Sequence, residues 1–322
     1  MNRSRIAATL ISMAAAWSFG APAQTYPSKA VRIISPFPPG GSVDSVARVV
    51  ANELTKPMGQ QIVVDNRSGA SGNIGTELAK NSAPDGYTLL INTLPFVTNQ
   101  FLYSRVPFDP INDFAAVSLI SSSPSVLTVH PSLPVHTVKE LIALAKARPG
   151  KLNYGSAGVA TNPHVAGELF NYLSKANLVA VHFKGGGPAL IATMSGETEV
   201  TFSNITETFP LVLANRLRAL GVSGLKPIRI LPGVPTIADA GLPGYEFTTW
   251  HAIVAPKATP PAVINVLSEK IRATLRTPEQ TQRFADRGLD LVASTPDELS
   301  AHLKSEMQKW GRVIRERGMK AE

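Results

Sequence analysis

VRIISPFPPGGSVDSVARVV, residues 31–50, is the stretch from which the fold can be read. Val31, Arg32, Ile33 and Ile34 open it as a buried strand. Pro36, Pro38 and Pro39 then end the strand, because proline cannot donate to a sheet ladder. Gly40 and Gly41 allow a tight turn, and Ser42 or Asp44 can begin a helix. That helix sets Val43, Val46, Ala47 and Val50 on one face. Strand, glycine turn and helix N-terminus together aim several backbone N–H groups into one concave spot, which suits an anion. A βα turn that only needs two glycines satisfies the same residues, so both readings stand at this point.

The same grammar continues outward. QIVVD (61–65) reads as a strand, SGASGNIG (68–75) as a glycine turn opening a helix that runs to residue 83, and YTLLIN (87–92) as a third strand ending at Thr93. This alternation predicts a parallel, doubly wound sheet. Gly69, Gly72 and Gly75 have only a superficial likeness to a dinucleotide fingerprint, since the spacing is wrong. Residues 115–130, AAVSLISSSPSVLTVH, form a long extended segment. A second alternation follows: helix 138–147, strand 152–154, loop 155–163, helix 164–174, strand 179–183, the turn KGGGP and helix 188–194. Strands 199–202 and 217–222 complete a second small sheet. Residues 247–255, FTTWHAIVA, are the second long extended segment, and helices 261–275, 278–287 and 296–317 close the chain. Two extended segments supply two crossings. The expected division is one lobe of 24–120 plus 250–322 and another of 121–249.

Residues 1–23 read as a signal peptide. Arg3 and Arg5 precede an apolar core at 6–19, and Ala21-Pro22-Ala23 is a small-residue cleavage site that leaves Gln24 first. The chain has no cysteine, hence no disulfide framework and no lipid-anchored thiol. Export to a bacterial periplasm fits. The formal charge is +8, of which Arg3 and Arg5 supply +2. The remaining basic residues are scattered without aromatic interleaving, which argues against nucleic acid and for a mild field favouring small anions.

Catalytic constellations are missing. Ser156 lies in GSAG rather than a G-x-S-x-G elbow, and Ser223-x-x-Lys226 lacks its partner motifs. His130, His136, His164, His182, His251 and His302 form no i,i+4 pair, so neither metal nor cofactor is expected. The loop from Gly155 to Pro163 is more informative. It also runs from strand to helix, offering the Ser156 and Thr161 hydroxyls. Facing Gly40 and Gly41 across a cleft, it would grip one carboxylate from both sides or a ligand with a carboxylate at each end; a capped glycine turn is the structural alternative.

YPSKAVRIISPFPPGGSVDSVAR, VVDNRSGASGNIGTELAKNSAPDGYTLL, NYGSAGVATNPHVAGELF, HFKGGGPAL and RLRALGVSG, in that order, resemble the Bug-type extracytoplasmic receptors of the tripartite tricarboxylate transporter system over almost the whole mature chain. The resemblance implies an α/β type II periplasmic-binding-protein fold, two lobes with mixed sheets joined by two crossing strands. It implies a receptor, not an enzyme, that captures a small organic carboxylate in the interlobe cleft and delivers it to membrane permease subunits. A ligand-sensing partner of a membrane signalling kinase is the alternative, and a monomer is expected. Implied contacts are Phe37, Pro39, Gly40, Gly41 and Thr93 from the first lobe, and Ser156, Gly158 and Thr161 from the second. Departures touch the ligand. Ala192 and Ser203 stand where the family commonly carries aspartate, and losing an acid at 203 weakens the case for an amino-acid ligand. Asn204 remains among the implied contacts. His251 joins them as a donor to an extra carboxylate, with a packed hinge histidine as the competing role.

Overall fold

The computed structural model describes residues 26–320, so the expected leader and its cleavage after Ala23 lie outside the described residues. The chain opens with β1 (Val31–Ser35), α1 (Ser42–Met58), β2 (Ile62–Asn66), α2 (Asn73–Lys80), β3 (Thr88–Asn92) and α3 (Pro95–Leu102). β1 pairs in parallel with β2 and with β3. Val31 and Ile33 face one core with Val43, Val46, Ala47 and Val50 of α1, while Ile34 faces the other. β1 and β3 are covered on both faces, which is why they read as unbroken apolar runs.

β4 (Phe114–Val129) and β9 (Thr248–Pro256) are the two crossing strands. They run antiparallel side by side from Phe114 opposite Pro256 to Pro124 opposite Thr248. From Ser125 onward β4 changes partner and pairs with β7 (Val200–Asn204), and its last residues pair with β8 (Arg218–Val222) as well. Pro124 sits at the change, where a missing N–H costs least. Two serine contacts tie this strand to its neighbours: Ser118 Oγ donates to Ser294 O at 2.8 Å, and the Ser125 backbone N–H to Ser223 Oγ at 2.7 Å.

The second lobe contains α4 (Val138–Ala147), β5 (Asn153–Ser156), α5 (Asn162–Ser174), β6 (Val179–His182), α6 (Gly186–Ser195), β7, α7 (Ile205–Leu213) and β8. Parallel pairing joins β5 to β6 and to β7. The two sheets are therefore one ten-stranded ladder, ordered β2-β1-β3-β9-β4-β7-β5-β6 with β8 and β10 (Asp290–Leu291) on β4. A separate second sheet was the expectation; the length of β4 fuses the two. α8 (Pro261–Leu275), α9 (Pro278–Ala285) and α10 (Pro296–Arg317) complete the chain. α10 packs on α3 and β4 and buries Leu299, Leu303, Trp310 and Ile314.

Capping explains the best-read helices. Thr137 with Glu140 and Thr295 with Glu298 form capping boxes at the starts of α4 and α10. α3 and α7 have no such signature. α3 buries six of its eight residues, the polar Thr98 and Asn99 among them, while Pro210 inside α7 argues locally against a helix.

Candidate ligand-binding cleft

A cavity of about 220 Å³ opens between the lobes. It is small beside pockets of roughly 300–1,000 Å³ that take drug-sized ligands, which suits a ligand of few carbons. One wall is the turn between β1 and α1, from Phe37 to Val43, with Thr93 and Pro95 at the end of β3. The opposite wall comes from three places in the second lobe. These are Ala157 and Thr161–Pro163 at the start of α5, Gly185–Pro188 at the start of α6, and Asn204 with Glu207 at the start of α7.

The first wall is built by its backbone. Gly40 holds φ at +82°, a left-handed conformation that glycine adopts without penalty, and Gly41 is extended as the N-cap of α1. Its N-cap residue, being glycine, has no side chain to cap it. Asp44 instead reaches back from its first turn and accepts the Gly40 N–H at 2.9 Å. Arg48 Nε and Asn66 Nδ2 donate to the same carboxylate, each at 2.9 Å. Burial opposes charge on Asp44, yet the Arg48, Gly40 and Asn66 hydrogen bonds together hold its carboxyl below the usual carboxylate range. Asp44 is thus a permanent anion that braces the turn, and Asn66 Nδ2 also donates to Phe37 O at 3.0 Å.

The glycines at 69–75 serve the same wall from behind. A Cβ on Gly75 would fall 2.6 Å from Arg67 O and 2.9 Å from the Pro36 backbone, so glycine lets α2 press against the β1–α1 turn. Close packing, not dinucleotide binding, accounts for that glycine.

Of the residues expected at the site, Phe37, Pro39, Gly40, Gly41, Thr93, Thr161 and Asn204 line the cavity. Ser156, Gly158 and His251 do not. Ser156 is fully buried behind the wall, and its hydroxyl donates to Gly158 O at 2.9 Å. Thr161 Oγ1 donates to the same carbonyl at 2.7 Å. Both hydroxyl protons therefore hold the loop in shape, and its contribution to the wall is Ala157, Thr161, Asn162 and Pro163. His251 is wholly buried in β9, its Nδ1 3.1 Å from Ser121 Oγ on β4. Burial lowers its pKa to about 4, so it is a neutral hinge histidine.

Sequence reading missed Ser42, Asn162, Gly185–Gly187 and Glu207. The glycines were readable in principle, since KGGGP repeats the strand–glycine–helix grammar of Gly40 and Gly41. Glu207 had no local signal. Among the residues lining the cavity there is no arginine, lysine or histidine. Among the described residues no cluster of histidine and acidic side chains could hold a metal.

A family profile described as "Tripartite tricarboxylate transporter family receptor" matches residues 46–319. The chain belongs to this family of transporter receptors. The receptor is 35% identical to Protein BugT of Bordetella pertussis, with 99% of each chain covered. It is 37% identical to a UPF0065 protein from the tcbD-tcbE intergenic region of Pseudomonas sp. (strain P51), covering 90% of this chain and 86% of that one. Among solved structures, Rpa4515 of R. palustris, determined with adipate, superposes with a TM-score of 0.89 at 34% identity, covering 92% of this chain and 99% of the other. The two-lobe periplasmic-receptor fold follows, and the receptor belongs to a family of solute-binding proteins rather than enzymes. No described helix is long and apolar enough to cross a membrane.

Proposed function

We propose that the receptor captures a small organic carboxylate in the interlobe cleft and hands it to the membrane permease subunits of a tripartite transporter. The observation that carries this reading is the convergence of helix N-termini on one small cavity: α1 from the first lobe, α5 and α6 from the second. Converging N-termini place positive dipole ends and N–H donors around an anion without any basic side chain. The adipate held by a relative of 34% identity supports the same chemistry. Membership of a transporter family favours delivery to a permease over reporting to a signalling kinase.

Phe37, Pro39, Gly40, Gly41, Thr93, Thr161 and Asn204 are the expected contacts, with Ser156 and Gly158 shaping the second wall from behind. The lobes are taken as 24–120 plus 250–322 and 121–249. The partner change of β4 at Pro124 and the packing of α10 on α3 and β4 support that division. The mature chain begins at Gln24 and acts as a single copy. Thermal shift with mono-, di- and tricarboxylates beside their neutral amides, in the presence of a chelator, tests the reading. Carboxylates raise the melting point and amides do not; equal shifts from the amides, or loss of the shift with chelator, overturn it.

A further inference from the structure

Among the described residues, the one ionisable side chain in the cavity wall is Glu207, in the first turn of α7. Its Oε1 accepts the Ser42 N–H across the cleft at 2.8 Å, at the N-terminus of α1. Its Oε2 lies against Gly186 at the start of α6, so closely that a Cβ there would come within 2.3 Å. A carboxylate of the protein itself thus occupies the space between two helix N-termini. Asp44 holds the neighbouring Gly40 N–H, so two donors of the α1 turn already serve internal carboxylates.

The rest of the wall adds no cation. Asn162 and Asn204 line the same cavity and are both more than nine-tenths buried. Asn162 Nδ2 donates to Thr93 and Thr249, and Asn204 Nδ2 to Ser42 Oγ at 3.1 Å. The Oδ1 atom of each is left buried with no hydrogen-bond partner among the described residues. A buried carbonyl oxygen without a donor is costly, and the half-buried Glu207 carboxylate has no cation beside it among the described residues. Burial pushes the Glu207 carboxyl up, while the Ser42 N–H and Asn204 only partly counter it. What the wall lacks is a donor that carries positive charge.

We propose that Glu207 sets the ligand class, admitting carboxylates that also carry a protonated amine and discriminating against dicarboxylate dianions. The ligand carboxylate takes the remaining N–H groups at the helix N-termini, and its ammonium group pairs with Glu207. A second ligand carboxylate in that place meets a like charge in a water-poor cavity. This inference rests on the carboxylate-receptor reading above.

The test measures binding of the mature protein to matched four- and six-carbon probes: the plain acid, the ω-amino acid, the ω-hydroxy acid and the dicarboxylate. The wild type is expected to bind the amino acid at least about tenfold more tightly than the dicarboxylate. Glu207→Gln keeps the size and an acceptor, removes the charge, and inverts that order. Gly186→Ala, whose Cβ displaces the Glu207 carboxylate while leaving the charge in the protein, shifts the order in the same direction. An unchanged order in both variants overturns the inference and leaves the receptor reading standing. A dicarboxylate or hydroxy acid that outranks the amino acid in the wild type overturns it too. Silence from every carboxylate overturns both readings together.

Discussion

The Asn162 side-chain amide donates to Thr249 Oγ1 at 2.6 Å, tying the first turn of α5 in one lobe to the crossing strand β9. Thr93, at the end of β3, completes the triangle, its hydroxyl 2.8 Å from that of Thr249 and 3.2 Å from the Asn162 amide. All three side chains are buried, so each bond is made in a medium where losing a partner is expensive. Thr249→Val keeps the shape and removes the oxygen that both neighbours use. It is expected to cost about 1–3 kcal/mol of unfolding free energy. Thr249→Ser should retain most of that stability. Urea unfolding of the three proteins checks this; equal midpoints for valine and threonine would contradict it.

Gly40 carries a positive φ with open space where a side chain would point. Strain, not collision, is therefore the cost of replacing it. Gly40→Ala should destabilise by about 1–2 kcal/mol, and Gly40→Asn by less, because asparagine tolerates the left-handed region better. If asparagine and alanine proved equally damaging, the explanation from φ would fail.

The loop from β5 to α5 hangs on one carbonyl, Gly158 O, which accepts from both Ser156 and Thr161. Ser156→Ala and Thr161→Val each remove one donor. Each is expected to lower stability by about 1 kcal/mol. Differential calorimetry reads this directly, and unchanged melting in both variants would mean that the backbone alone holds the loop.

Stability should fall on mild acidification, before the carboxylates titrate. Burial lowers the pKa of His164, His182, His251 and His302, to about 4 for His164 and His251. The native state then refuses protons that the unfolded chain accepts below its ordinary histidine value of about 6.5. This stabilisation is complete above that value and is lost as the pH falls toward the native values. Each histidine contributes at most about 1.4 kcal/mol per pH unit in that window. Glu207, whose carboxyl burial pushes up, has the opposite sign where it titrates. Denaturant midpoints at about pH 7.5 and about pH 5.5 measure the sum, and a higher midpoint at the lower pH would reverse the sign argued here.

The elements were legible where short-range chemistry specifies them. α8 begins with Pro261 at its first position, and α4 and α10 begin with Thr–Glu capping boxes, so sequence reading places all three at their observed bounds. β1 and β3 announce themselves as apolar runs bounded by proline, glycine or asparagine. α3 and α7 escaped because their evidence is tertiary. α3 buries Thr98 and Asn99 along with its apolar residues, and α7 continues through Pro210, so in neither does the local pattern announce a helix.

The strand–glycine–helix turns, and with them the expectation of an anion site, were decided by sequence alone, since φ at Gly40 and the free N–H groups of a helix start are local properties. Only the tertiary structure decided the polarity of the cleft. Ser42 and Glu207 stand 165 residues apart, and they meet because β4 leaves β9 at Pro124 and carries the second lobe's helices back over the first. Which acceptors and charges share a cavity depends on that long-range pairing. Sequence reading therefore noted the missing acid at Ser203, whereas the fold brings Glu207 to the cavity wall.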